Sequence, residues 1–231
     1  MSTPATRRKR IAQLRNSRMT VFLVLLVLTI FMVPVIAPPF DEAGRAVIEA
    51  FFALVLLAGV WVVIDERVVA TVVALLFACM AAIAWLSAGQ VQLVTPVMRT
   101  AVALLATILL AAVIGRRVFA DGRITMDRIM GAIALYLMLG IIWANAYEIV
   151  GLRDHTAFSG APDQARGMER WFYFSFTTLT TVGYGDIAPL ARAARALAML
   201  EALIGQLYPA IILARLVTLQ TSAGPSEPPV R

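Results

Sequence analysis

The sequence predicts an all-α membrane protein, and three observations carry that prediction. Of its 231 residues, 61% are hydrophobic and only 15% charged, too apolar a mixture for a soluble globule of this size. Six apolar stretches of about twenty residues, each long enough to cross the hydrocarbon as a helix, follow one another along the chain. Between the fifth and sixth lies an apolar segment too short to span, Trp171 to Thr181, which runs into Thr180-Thr181-Val182-Gly183-Tyr184-Gly185-Asp186. A short helix followed by irregular backbone is tolerated at membrane depth only where it lines a cavity. The predicted architecture is therefore six transmembrane helices with a re-entrant helix between helices five and six.

Residues 1–18 form a basic tail carrying Arg7, Arg8, Lys9, Arg10, Arg15 and Arg18. The first span, Met19 to Ala37, has an apolar core longer than a signal peptide carries, and no clear small-residue cleavage site follows it. Pro34 predicts a kink near its outer end. The second, third and fourth spans run from Ala46 to Ile64, Val68 to Ser87 and Met98 to Ile114, so that residues 19–114 make a four-helix peripheral domain. Cys79, the only cysteine, lies within the third span and reads as a small apolar packing residue. Residues 115–128 mix Arg116, Arg117, Arg123 and Arg128 with Val118, Phe119, Ile124 and Met126, a pattern suited to a linker lying in the membrane interface.

Residues 129–219 hold the fifth span (Ile129 to Val150), a polar loop from Gly151 to Glu169, the short helix from about Glu169 to Thr180, and the last span (Leu190 to Leu219). The loop's His155 is the sole histidine and reads as a solvated surface group. Residues 220–231, rich in Pro, Ser and Gly, are expected to be disordered and leave no room for a regulatory domain. Arginine clusters before the first span and after the fourth place both on the cytoplasmic side. Six crossings then return the carboxyl terminus to the cytoplasm and leave Asp186 outside. The net charge of +6 sits beside the spans and points to membrane lipids, anionic headgroups included, rather than to nucleic acid. No nucleophile and base pair, metal-ligand cluster or phosphate loop suggests an enzyme.

The run Thr180 to Asp186, preceded by Trp171-Phe172-Tyr173-Phe174-Ser175-Phe176-Thr177-Thr178-Leu179 and followed by a long apolar helix, resembles the signature of the potassium channel superfamily, in its bacterial six-transmembrane, single-pore-loop form. The resemblance implies a pore helix and a selectivity filter in which Thr181, Val182, Gly183, Tyr184 and Gly185 bind permeant K+, with no other cofactor. The residue types suit that chemistry. An ion sheds its water only where oxygens replace it, so successive carbonyls must face one axis, whereas a regular strand alternates them. Gly183 and Gly185 reach the positive-φ conformations that keep them aligned. The Thr181 hydroxyl adds an innermost oxygen layer, and Val182 and Tyr184 point outward into packing. One such segment is a quarter of a ring, so three further copies of the chain are expected around the axis.

The resemblance also assigns support to Thr180, to Asp186 at the outer mouth, and to Tyr173, whose hydroxyl is expected to reach Asp186. Many bacterial members carry a glutamate where Thr177 stands. In the last helix Gly205 falls where relatives hinge, the alternative being that it only permits close helix packing; Pro209 removes the hydrogen bond to the carbonyl of Gly205, and Gln206 faces the cavity. Glu201, an expensive intramembrane carboxyl, is expected to face neighbouring helices, with Asn145, or Ser175 and Thr178, as partners. Arg170 and Arg195 are placed to meet an anionic headgroup. The fourth span departs from voltage-gated relatives: between Arg99 and Arg116 it carries no basic residue, and Glu49 is left as a structural partner for Arg99 or Arg45. The chain is thus expected to conduct K+ passively without steep voltage gating, in the inner membrane of a bacterium, the source its Ala- and Arg-rich, Lys-poor composition suggests. A non-conducting regulatory subunit and a channel-related potassium transporter are the alternatives.

Overall fold

A computed structural model of the chain describes residues 18–32, 51, 54–55, 57–62, 71, 75, 96–120, 125–160 and 168–221. The third predicted span, about half of the second, the outer end of the first, Arg45, Glu49, Cys79 and both tails lie wholly or largely outside them, and the described part of the second, 51, 54–55 and 57–62, is helical. The described elements are α1 (Arg18–Met32, of which Leu28–Met32 is π-helical), α2 (Pro96–Val118), α3 (Met126–Arg153), β1 (Phe158–Ser159), α4 (Met168–Leu179), β2 (Ala188–Pro189) and α5 (Arg192–Thr221). Among the described residues three helices are long and apolar enough to cross a membrane: α2, α3 and, in α5, Arg192–Arg215.

Local chemistry sets the ends. Proline at the first position of α2 forgoes a backbone donor that has no helical partner there. Arg116 and Arg117 stabilise the negative end of the macrodipole in its last turn. The helix therefore runs past Ile114, and the first residues of the expected linker, 115–118, are helical; one glycine at 115 does not stop it, and the Phe119 amide still donates to the Gly115 carbonyl at 2.8 Å. Extended backbone at Thr125 starts α3, and extended backbone at Asp154 stops it.

The apolar face of α1, with Phe22, Leu26 and Ile30, joins Leu110 and Ile114 of α2 and Leu135 and Met138 of α3 in one core. On its other side α3 receives α4 through small residues, the usual way helices approach closely in lipid. A side chain at Gly140 would lie 2.6 Å from the Phe176 ring, and one at Gly151 would enter the Trp171 indole. Tyr147, Phe158, Trp171 and Phe174 meet edge to face, with centroids 4.7 Å apart for Tyr147 and Phe174 and 4.8 Å for Phe158 and Trp171, an arrangement favoured by the ring quadrupoles.

The loop after α3 folds back to clamp the segment after Asp186. β1 pairs antiparallel with β2, Phe158 opposite Pro189 and Ser159 opposite Ala188. The Ala157 carbonyl accepts from the Leu190 amide at 2.8 Å and the Ala191 amide at 3.1 Å. At the head of that loop the Asp154 carboxylate takes both the amide and the hydroxyl of Thr156, which hold its pKa below the ordinary range. His155 beside it is exposed.

Replacing Gly151 by valine forces the Trp171 ring out of its slot. We expect a loss of about 1–3 kcal/mol of stability, read as a lowered midpoint in thermal unfolding of detergent-solubilised protein, with a much smaller effect from Gly115→Ala, where a Cβ meets only Leu135 at 3.5 Å.

Candidate functional site

The candidate site is built where α4 gives way to irregular backbone. α4 buries Trp171, Phe172, Phe174, Ser175 and Leu179, so its apolar stripe faces α3 and α5 while its end delivers the 180–186 segment. There the backbone changes hand at alternate residues: φ is positive at Thr181 (59°), Gly183 (52°) and Gly185 (78°), and not at Val182 or Tyr184. Alternation of this kind allows successive peptide groups to turn the same way, the arrangement in which carbonyls share one side of the chain. The two glycines take these angles without steric cost, and an added Cβ at either meets nothing within 4 Å; conformation alone demands glycine there.

Thr181 was not foreseen in that role. A β-branched residue at positive φ is strained by about 1–3 kcal/mol, and the surroundings hold it there. The Thr181 amide donates to the Thr178 carbonyl at 2.9 Å and the Gly183 amide to the Thr177 carbonyl at 3.1 Å. From α5 the Gln206 amide donates to the Thr181 hydroxyl at 2.9 Å. Thr180 turns its hydroxyl back to the Phe176 carbonyl. Towards the end of the segment Tyr173 hydrogen-bonds the Asp186 carboxylate and stacks on Tyr184 at 6.3 Å, the rings 4° from parallel. Asp186 also accepts from the Ile187 amide at 3.0 Å.

Behind the segment, α5 is indexed against α4 turn by turn. Glu201 meets Ser175, Gly205 meets Leu179, and Gln206 meets Thr181. The closest approach is at Gly205, where any side chain would collide with the Leu179 carbonyl. That carbonyl also lies 3.4 Å from the Tyr136 hydroxyl. α5 itself is one continuous helix through Gly205 and Pro209, so the absence of a side chain at Gly205 serves packing in this conformation. Pro209 lies further along, lining a cavity of about 380 Å³ with Tyr136, Tyr208 and Arg128.

Glu201 is fully buried. Its Oε1 lies 2.5 Å from the Ser175 hydroxyl, and its Oε2 accepts from the Tyr147 hydroxyl at 2.5 Å. Of the partners expected for it, Ser175 is used, whereas Asn145 and Thr178 bond carbonyls one turn back on their own helices. Tyr147 was missed, although it stands two turns after Gly140 on the face of α3 that receives α4. Arg170 lies over the Trp171 ring, 4.2 Å from its centroid, and Arg195 donates to the Pro189 carbonyl at 3.1 Å.

The family model described as ion channel matches residues 132–221, which span α3 from Ala132 through to the end of α5. With the relatives that follow, this shows that the chain belongs to the ion channel family, a family of channels rather than of enzymes. It is 34% identical to Protein LctB of Bacillus caldotenax over 106 residues, 44% of this chain and 78% of that protein. Protein LctB of Geobacillus stearothermophilus is 33% identical over 103 residues, 42% of this chain and 76% of that protein. No solved structure gives a significant match.

Gly205→Ala places a methyl group on the Leu179 carbonyl, which is backbone and cannot swing aside. We expect the variant to lose the register between α4 and α5 and to elute as aggregate in size-exclusion chromatography, whereas Leu105→Ala, at an exposed position of α2, leaves the elution profile unchanged.

Proposed function

We propose that this chain forms a potassium-selective channel, four copies around one axis, that conducts K+ passively across the cell membrane. The observation that carries the reading is the alternating backbone of residues 181–185 at the end of a buried half-length helix. Carbonyls sharing one side of a strand make a ligand for a bare cation only when other strands complete the ring, and each chain supplies one strand. Thr181, Val182, Gly183, Tyr184 and Gly185 would line the filter, with Thr180, Tyr173 and Asp186 behind it and the end of α4 directing the negative pole of its dipole at the ion below.

Exposure in the single chain supports the assembly. Val182 and Tyr184, whose side chains the filter reading sends into packing, are 54% and 72% exposed. α5 buries only a narrow stripe through Ala194, Glu201 and Gly205, leaving Met199, Leu203, Leu207 and Ile211 open. Neighbouring copies and lipid would cover these surfaces. Gln206, one position beyond Gly205, would face the cavity while steadying Thr181. Gly205 and Pro209 would be the weak point at which the inner helix bends on opening. Both termini would lie in the cytoplasm, and anionic lipid would meet the flanking arginines.

The charge on α2 argues against a voltage sensor. Arg99 is exposed at its outer end and the next basic residue is Arg116. The field supplies roughly 2.3 kcal/mol per charge per 100 mV, so one arginine per copy gives little work. Purified protein in liposomes under a potassium gradient is expected to show flux that barium blocks, with sodium flux far smaller; equal sodium flux, or none of either, would reject the reading. In planar bilayers without blocking ions, open probability is expected to change only weakly with voltage.

A further inference from the structure

Glu201 stands at a junction of three helices where donors and acceptors can be counted. The Ser175 oxygen has one hydrogen, yet two acceptors compete for it: the Gly140 carbonyl at 2.8 Å and Glu201 Oε1 at 2.5 Å. Tyr147 spends its only hydrogen on Oε2. As a carboxylate, Glu201 would leave one of the two Ser175 contacts without a hydrogen. As an acid, it completes the chain: Oε1–H donates to Ser175, Ser175 donates to the Gly140 carbonyl, and Tyr147 donates to Oε2.

The surroundings argue the same way. The side chain is fully buried in a helix long and apolar enough to cross a membrane, where an unpaired charge is costly. The groups bonded to it are Tyr147 from α3 and Ser175 from α4, and Tyr136 of α3 is near enough to interact with it electrostatically. Among the described residues no arginine, lysine or histidine acts on it.

We propose that Glu201 is held as a neutral carboxylic acid and is a positioning residue for the channel, its proton tying α5 through Ser175 to α3 at one turn while Gly205 seats on Leu179 at the next. Losing that proton to bulk water turns the Ser175 hydroxyl from Gly140 towards Oε1, breaks the tie to α3, and puts a charge into the packing behind the conducting segment. The bond network stands on the geometry alone; its effect on ion flow rests on the potassium-channel reading above.

Infrared spectra of the purified protein at neutral pH test the first part. The wild type should show the C=O stretch of a hydrogen-bonded carboxylic acid that E201Q removes, and S175A should move that band to the frequency of a more weakly bonded acid. Absence of such a band, or a band that S175A leaves in place, overturns the proposal. Potassium flux in liposomes tests the second part. Wild-type flux should fall as pH rises through the range in which the band disappears, whereas E201Q, with a neutral amide that can still donate to Ser175 and accept from Tyr147, should fold and give flux independent of pH across that range. Wild-type flux that stays constant while the band disappears, or an E201Q flux that keeps the wild-type pH profile, overturns the positioning role. Because the spectra need no conduction, failure of the channel reading and failure of this one are distinguishable.

Discussion

A strand whose carbonyls all face one way cannot hydrogen-bond to itself, so its shape has to be imposed from behind. That constraint organises the described part of this ion channel. The 180–186 segment takes its alternating backbone from two α4 carbonyls, Thr177 and Thr178, and from Gln206 of α5. Those groups are in place only because α5 meets α4 at successive points, Glu201 on Ser175 and Gly205 on Leu179. Glycine at 205 sets the distance between the helices, and Glu201 sets their register. The strain of Thr181 is held by the same contacts, a division of labour in which packing energy maintains an unfavourable local conformation.

The α4 helix needs an equally firm seat, and α3 provides it. Gly140 and Gly151 admit Phe176 and Trp171, and the edge-to-face cluster of Tyr147, Phe158, Trp171 and Phe174 fills the space between α3, α4 and the loop that follows α3. That loop reaches over to bind the stretch after Asp186 through Ala157 and the two-residue strands. The 180–186 segment is thus fixed at its start by α5 and just after its end by the loop, and in the proposed assembly the remaining faces are left for neighbouring copies.

Much of this was legible in the residues. Spans four, five and six could be read from their apolar lengths and differ from the structure by a few residues at their ends, where Arg116 and Arg117 extend α2 beyond its apolar stretch. Gly183 and Gly185 announced their backbone angles, because no other residue type takes positive φ at so little cost. Thr181 did not, since its conformation is imposed by Gln206 and Thr178 rather than preferred by threonine. Tyr147 and the Ala157 clamp were also hidden: each depends on contacts between residues more than thirty positions apart, which apolar periodicity does not encode. At Gly205 the sequence offered both a hinge and a close helix approach, and the structure shows the close approach, against the Leu179 carbonyl.

The central claim is that residues 181–185 present their carbonyls to a common axis as a ring of ligands. The most direct measurement is an electron cryo-microscopy map of the protein in thallium, a dense substitute for potassium. The account predicts four-fold assemblies with strong density on the axis between successive carbonyl rings from Thr181 to Tyr184, absent when thallium is replaced by sodium alone. A map without a four-fold axis through this segment, or with its carbonyls turned away from an empty axis in thallium, would contradict it.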